Sequence, residues 1–138
     1  MFKLIKVLNS PTTSPQLIRR KTMANYKYKR GMLLEMNANG EVKPLTDGNT
    51  PTHISCESLK AGEKDTVLCY EVFENMIFSS VAYCDMRSVA PGVKVILAPD
   101  DDGVPTYPTS DSSDGYVMIY DNCGAEKYGD TVFVRFVK

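Results

Sequence analysis

The sequence lacks the residue patterns on which most enzyme active sites are built. It has one histidine, His53, so no pair of histidines can bind a metal within the chain. It contains no phosphate-binding G-x-x-x-x-G-K-[ST] or G-x-G-x-x-G pattern and no G-x-S-x-G nucleophile motif. Its four cysteines include no C-x-x-C pair and do not form the dense framework of a small secreted domain. We therefore expect no catalytic residue, no metal and no cofactor, and a protein that is not an enzyme.

Long hydrophobic runs are also missing. No apolar stretch approaches the ~20 residues of a membrane-spanning helix. The N-terminal apolar cluster, residues 4–8, is short and interrupted by Lys6, so it resembles neither a membrane span nor a secretory signal. The length of 138 residues, with 43% hydrophobic and 24% charged residues, fits one globular domain with at most an added arm.

The remaining candidates for chemistry have simpler structural interpretations. His53 lies in a strand-like run, which favours a packing role over general-base catalysis. Cys56, Cys69 and Cys84 lie in or beside expected strands, where a free cysteine fills a core. Cys123 is the best candidate for a reactive thiol, although no His or Arg is close in sequence to lower its pKa. The acidic run at residues 100–102 does not have the alternating ligands of a calcium loop, so we expect a solvated turn.

Charge is segregated along the chain although the net charge is only −1. Residues 1–34 hold eight basic side chains and no acidic one, whereas residues 35–138 hold eight basic and 17 acidic side chains, a net −9. This asymmetry predicts a basic arm on an acidic domain. The beginning of the arm is apolar and β-prone, so it needs a partner surface. We place the extended basic arm at residues 1–28 and a β-barrel domain at residues 29–138.

Short alternating runs separated by turn residues predict an all-β fold. Dipeptides such as Asn39-Gly40 and Asp114-Gly115 are typical of hairpin turns. The expected strands are 32–36, 41–45, 53–56, 66–73, 76–83, 93–98, 116–121 and 131–137. The segment 100–113, with its prolines, serines and aspartates, is expected to form an exposed loop or a widened hairpin.

The two halves of the expected β-barrel domain, residues 29–138, repeat one pattern. Gly31 and Gly92 each precede an apolar run, Gly40 and Gly103 lie in the turns that follow, and the triplet Asp-Thr-Val occurs at residues 65–67 and again at 130–132. The repeat predicts two similar β-meanders that form a small barrel or sandwich.

This layout resembles the small β-barrel decoration (cement) proteins of tailed bacteriophage capsids. The resemblance covers about residues 29–137 and is carried by strand and turn signals, which lie at residues 31–34, 40–44, 61–67, 92–97, 103 and 129–134. It implies a non-enzymatic virion protein, assembled in the bacterial cytoplasm, that lies on the outer capsid surface and bridges neighbouring major capsid subunits. The implied partners are the major capsid protein, copies of the chain itself or other minor capsid proteins.

The arm supplies the expected contact with the capsid. An apolar strand can extend the exposed sheet edge of a capsid subunit by β-augmentation, while its cations steer the approach to an acidic surface. The predicted partner-binding residues are Lys3, Leu4, Ile5, Lys6, Val7, Leu8, Arg19, Arg20 and Lys21.

The alternative is a small β-barrel that binds nucleic acid with its basic arm, where Tyr26 and Tyr28 alternate with basic residues. The acidic character of the remaining chain opposes this alternative, because phosphate binding depends on Lys and Arg.

Overall fold

A computed structural model describes residues 1–10 and 14–137, and all the regular structure in these residues is β-strand. The strands are β1 Lys3–Val7, β2 Ile18–Thr22, β3 Leu33–Met36, β4 Glu41–Pro44, β5 His53–Ser55, β6 Thr66–Glu71, β7 Met76–Val81, β8 Lys94–Pro99, β9 Pro105–Ser112, β10 Val117–Asp121 and β11 Thr131–Phe136. The expected all-β class is confirmed. Each of the eight expected strands is present, with ends that differ by up to two residues.

The chain forms two compact units rather than an arm and one domain. Residues Ser14–Val72 form the first, here called the barrel unit; Met1–Thr13 and Phe73–Lys138 form the second, here called the sheet unit. This division differs from the expected boundary after residue 28. It also redistributes the charge, because the barrel unit has nine basic and seven acidic residues and the sheet unit seven and ten. The sequence divides into net charges of +8 for residues 1–34 and −9 for residues 35–138. The folded units differ much less, with a net charge of +2 for the barrel unit and −3 for the sheet unit.

The barrel unit is a closed five-stranded barrel in the order β2-β4-β3-β5-β6. Strand β2 closes it, because it pairs antiparallel with β6 and parallel with β4. The interior holds fully buried side chains from four strands, among them Leu34, Val42, Ile54 and Val67. Burying such side chains contributes roughly 1.5–3 kcal/mol each.

The sheet unit contains a six-stranded sheet in the order β1-β7-β11-β10-β8-β9. Alternate residues of β11, Val132, Val134 and Phe136, are buried, which is the period of two expected for a sheet with one covered face. Just beyond the end of β7, the Tyr83 N–H donates to the carbonyl of Pro108 in β9 at 2.9 Å.

The internal repeat is confirmed in the topology of the two units. Strands β3 to β6 of the barrel unit pair with one another as β8 to β11 do in the sheet unit. Gly31 and Gly92 both have positive φ, 80° and 88°, and each donates its N–H to a carbonyl in or next to the third strand of its repeat. Glycine suits this position because it adopts positive φ without strain. Strands β2 and β7 correspond in the same way, since both pair with the last strand of their repeat.

Residues 1–28, expected as an extended arm, are divided between the two units. Strand β1 pairs antiparallel with β7 in the sheet unit, and β2 belongs to the barrel. The segment does not extend as an arm because the apolar, β-prone residues at its beginning need a partner strand. The chain itself supplies that partner.

The segment 100–113 forms a hairpin, which is the second of the two structures expected for it. Strand β9 covers Pro105–Ser112 and pairs with β8 across two register shifts. The prolines that suggested a loop are compatible with β9, because it is an edge strand and its outer side needs no hydrogen-bond donor. Asp100 shapes the turn by accepting hydrogen bonds from the Asp102 and Val104 N–H groups at 2.9 and 3.1 Å.

Candidate functional site

The first group of predicted partner-binding residues lies at an edge of the sheet unit. Lys3, Leu4, Ile5, Lys6 and Val7 form β1, and Leu8 follows directly. The two lysines are exposed, whereas the four apolar side chains are half-buried. This pattern is that of an edge strand that packs its apolar side chains and leaves its lysines in solvent.

Phe2 anchors this strand. Its ring is 3% exposed and meets the Phe136 ring edge-on, with 5.2 Å between centroids. Phe136 in turn contacts Phe78, also at 5.2 Å. The ring is a large apolar surface that anchors β1 to the core of the sheet unit, and no pattern in the sequence marked it.

Strand β1 has one edge that β7 does not cover. The Leu8 N–H donates to the Asn75 carbonyl at 2.7 Å, so the N–H and C=O groups of the preceding Val7 point away from β7. A register shift between Leu4 and Lys6 makes Ile5 a bulge. A bulge and exposed lysines are common protections of an edge strand against unspecific pairing, and they restrict which partner can approach.

The second group of predicted residues lies in the barrel unit, on β2. Arg19 pairs with Glu57 at 3.4 Å, and Arg20 pairs with Glu71 at 3.2 Å. Only Lys21 of the three remains exposed with no ion pair among the described residues. The two arginines are therefore partly neutralised within their own barrel, and the two predicted groups belong to different units.

The pairs of Arg19 and Arg20 differ in their surroundings. Glu57 Oε1 also accepts the Leu68 backbone N–H at 2.9 Å, and this hydrogen bond is the main reason why the pKa of Glu57 is lowered, with Lys64 and Arg19 adding to it. Arg20 lies against His53, which is 2% exposed. Burial first, and then the Arg20 charge, lower the pKa of His53, so a neutral imidazole is favoured.

The basic stretch 26–30 does not present two free aromatic rings. Tyr28 is 2% exposed, its hydroxyl donates to the Val42 carbonyl at 2.5 Å, and the same hydroxyl accepts the Met23 N–H at 3.0 Å. The Lys43 ammonium lies over the ring of Tyr26 at 5.9 Å from its centroid. The alternation in the sequence reflects a core tyrosine beside a partly covered one, so Tyr28 cannot stack on a base without leaving the core.

All four cysteines, each in the described part of the chain, are free thiols. Cys69 is buried in β6, and burial raises its pKa to about 11. Cys123 is exposed in a turn with a φ of 54°, but partial burial of the thiol and the Asp121 charge raise its pKa as well. The structure therefore gives Cys123 no activation as a nucleophile.

No cluster of three or more His, Cys, Asp or Glu side chains in residues 1–10 and 14–137 is arranged to hold a metal ion. Over the same residues, no helix has the length and apolar character required to cross a bilayer.

The chain matches no protein-family model and no curated protein. No pattern in the sequence singled out Tyr83 and Tyr128, which are exposed, or Tyr107, which is half-buried in β9. Three aromatic residues near Asp- and Gly-rich turns were the available signal.

Proposed function

We propose that this protein binds the outer surface of a tailed-phage capsid lattice and bridges neighbouring major capsid subunits. The observation that carries the proposal is the outer edge of β1, which presents the Val7 N–H and C=O groups beside the exposed Lys6. The resemblance to capsid decoration proteins, carried by strand and turn signals over about residues 29–137, supplies the partner.

The proposed contact is β-augmentation of the sheet unit. A strand of a capsid subunit pairs with the free edge of β1, and main-chain hydrogen bonds supply most of the affinity. Lys3 and Lys6 favour an acidic partner and fix the register more than they add affinity. In this form of the mechanism β1 stays on its own sheet and offers its second edge, instead of leaving as a free arm.

The barrel unit supplies a second contact through Lys21, on the exposed side of β2. Two contacts per molecule allow one protein to touch two capsid subunits. A molecule that needs both contacts binds only the closed lattice, where two subunits lie side by side. It therefore stabilises that lattice by mass action. The function is structural and needs no catalytic step.

The direct test removes one hydrogen-bond donor from the free edge. Val7→Pro deletes an N–H that points away from β7, and proline is tolerated at such edge positions. The matched control, Val7→Thr, keeps the N–H and a β-branched side chain. We expect Val7→Pro to fold, as judged by circular dichroism and thermal unfolding, and to lose co-sedimentation with expanded capsids assembled from the accompanying major capsid protein, while Val7→Thr co-sediments like the wild type.

A second variant protects the test against a folding defect. Lys3→Glu with Lys6→Glu keeps every backbone donor and reverses the charge of the edge, so its binding should fall most at low salt. Undiminished co-sedimentation of a folded Val7→Pro protein would refute the β1 contact. Failure of the wild type to bind capsids at all would refute the function itself.

Nucleic-acid binding remains the competing proposal. The ion pairs of Arg19 and Arg20 and the burial of Tyr28 weigh against it. It predicts a shift of bare DNA or RNA at low salt that disappears steeply as salt is raised. The absence of a shift at low salt would exclude it.

A further inference from the structure

Three tyrosine rings meet on the surface of the sheet unit. Tyr83 directly follows Val81 and Ala82 at the end of β7, Tyr107 lies in β9, and Tyr128 lies in the turn before β11. The ring centroids of Tyr83 and Tyr128 are 6.4 Å apart, and those of Tyr107 and Tyr128 are 5.4 Å apart, in edge-to-face arrangements. Tyr83 is 50% and Tyr128 57% exposed. We call these three residues the tyrosine cluster.

The repeated fold does not require the tyrosine cluster. The Ala82 N–H donates to the Asp130 carbonyl as the Thr22 N–H does to Asp65, which aligns Tyr83 with Met23 and Tyr128 with Glu63. The third ring lies in β9, whose eight residues compare with four in the corresponding strand β4. The aromatic rings are thus an addition to one repeat, and the exposed rings of Tyr83 and Tyr128 contribute little to its core.

Ring contacts hold the cluster in place before any ligand arrives. A hydrogen bond joins the side chains of Tyr107 and Tyr128; this bond, followed by burial and by the charges of Tyr128, Asp100 and Asp101, raises the pKa of Tyr107. Tyrosine has few rotatable bonds, so a preformed group of such rings loses little conformational entropy on binding. Tyr is also among the residues that dominate binding energy at protein interfaces.

The charge around the cluster favours a cationic ligand. The segments that supply the rings, 83–87, 100–107 and 126–130, hold six acidic and two basic residues, a net −4. One of the two basic side chains, Arg87, pairs with Asp85 at 2.8 Å and with Glu126 at 3.4 Å. Aromatic ring faces are themselves negative, so both the rings and their surroundings attract cations.

We propose that the tyrosine cluster is a binding site for an arginine-bearing segment of a partner protein. The guanidinium group fits because it is planar, stacks on aromatic faces and pairs with carboxylates at the same time. Asp101 is exposed and its charge acts on Tyr107, so it supplies one such carboxylate close to the cluster. The inference concerns residues other than those of β1 and does not depend on the capsid function.

The test uses the full chain and four defined probes, which are hexa-arginine, hexaglutamate, a neutral Gly-Ser hexapeptide and the neutral oligosaccharide maltohexaose. Binding is followed by aromatic proton-carbon NMR of the eight tyrosines. The side-chain protons of the arginine peptide are observed at the same time, because stacking on a ring shifts them upfield. We expect hexa-arginine to perturb the three cluster tyrosines and the other probes to leave them unchanged.

Single substitutions then assign the site. Tyr83→Ala and Tyr128→Ala should each weaken hexa-arginine binding by about 2- to 30-fold, the range for one cation–π contact. Tyr120→Ala is the matched control, because Tyr120 is a 36% exposed tyrosine of the sheet unit outside the tyrosine cluster, and binding should stay unchanged. Tyr128→Phe keeps the ring and should retain most of the affinity, whereas Asp101→Asn should reduce it and flatten its salt dependence.

Four results would overturn the inference. The first is no perturbation by hexa-arginine, and the second is an equal response to hexa-arginine and hexaglutamate. The third is preferential binding of maltohexaose, which would make the cluster a carbohydrate site. Equal losses in Tyr83→Ala and Tyr120→Ala would also contradict it.

Discussion

His53 Nε2 accepts a hydrogen bond from Arg20 Nε at 3.3 Å, across two strands of the same barrel. Since an arginine Nε–H can only donate, the imidazole must be neutral and carry its proton on Nδ1, which lies 2.8 Å from Thr52 Oγ1. Glu71 on β6 is the strand partner of His53 and forms an ion pair with the Arg20 guanidinium. Arg20, which the sequence suggested as a partner contact, thus links strands β2, β5 and β6 of the barrel.

The first prediction is a loss of stability in mild acid. Burial and Arg20 lower the pKa of His53 in the folded protein below its usual value of about 6.5, so the unfolded chain binds the proton more readily. Stability is therefore complete above pH 6.5 and falls as the pH drops from there through the lowered pKa. Urea unfolding between pH 5 and 8 measures the effect. The proton-carbon NMR signal of the one histidine reports its pKa directly.

His53→Phe is the control for this prediction. It removes the titrating group, so the slope of stability against pH between 5 and 6.5 should become smaller. An NMR pKa above 6.5 for wild-type His53 would contradict the neutral, hydrogen-bonded imidazole.

The second prediction concerns the anchor of β1. Phe2→Ala removes a buried ring that packs on Phe136 and should cost about 3–5 kcal/mol of stability. Hydrogen exchange should also quicken at β1 and along the edge of β7 that it covers, because the strand loses its attachment. Leu17→Ala is the control, since Leu17 is 52% exposed and should change stability by less than about 0.5 kcal/mol. A Phe2→Ala protein as stable as Leu17→Ala would show that β1 is not held by this ring.

The third prediction tests the hydroxyl of Tyr28. Tyr28→Phe keeps the ring but leaves the buried Val42 carbonyl and the Met23 N–H without this partner, at a cost of about 1–3 kcal/mol. Chemical denaturation of the two proteins measures the difference. Tyr26→Phe, in a half-buried position, should have a smaller effect. Equal stability of wild type and Tyr28→Phe would mean that water replaces the hydroxyl.

The fourth prediction is low reactivity of an exposed thiol. Partial burial and the Asp121 charge raise the pKa of Cys123, so its thiolate fraction at neutral pH is small. Alkylation by iodoacetamide at pH 7, located by mass spectrometry, should be slower at Cys123 than in an unstructured peptide containing the same residues.

Asp121→Asn keeps an oxygen that can accept the Cys123 N–H and removes the charge. Alkylation should become faster in this variant. A rate at Cys123 that equals or exceeds that of the peptide would contradict the raised pKa.

The sequence predicted strands and turns well because those signals are local. Hairpin dipeptides and alternating apolar residues act over a few positions, and both halves of the repeat carry them, so the meanders could be recognised without the structure. The repeat also marked Gly31 and Gly92 as equivalent, and their shared positive φ explains why glycine occurs at both.

Pairing between distant segments could not be predicted in the same way. Nothing within residues 1–8 indicates that β1 pairs with a strand about 70 residues later, or that Phe2 reaches Phe136. Arg19 and Arg20 looked like free cations because Glu57 and Glu71 are far away in sequence. The surface distribution of charge therefore depended on the tertiary fold, and the sequence could only give its totals.

The sheet unit combines two segments that the barrel unit separates in the sequence, and this order matters for synthesis on the ribosome. Strand β1 leaves the exit tunnel before its partner β7, which follows only after the whole barrel unit. At translation rates of about 5–20 residues per second, β1 waits roughly 3–14 s for that partner. During this interval the nascent chain exposes an unpaired apolar strand while the barrel unit can already fold, and such a strand is prone to aggregate.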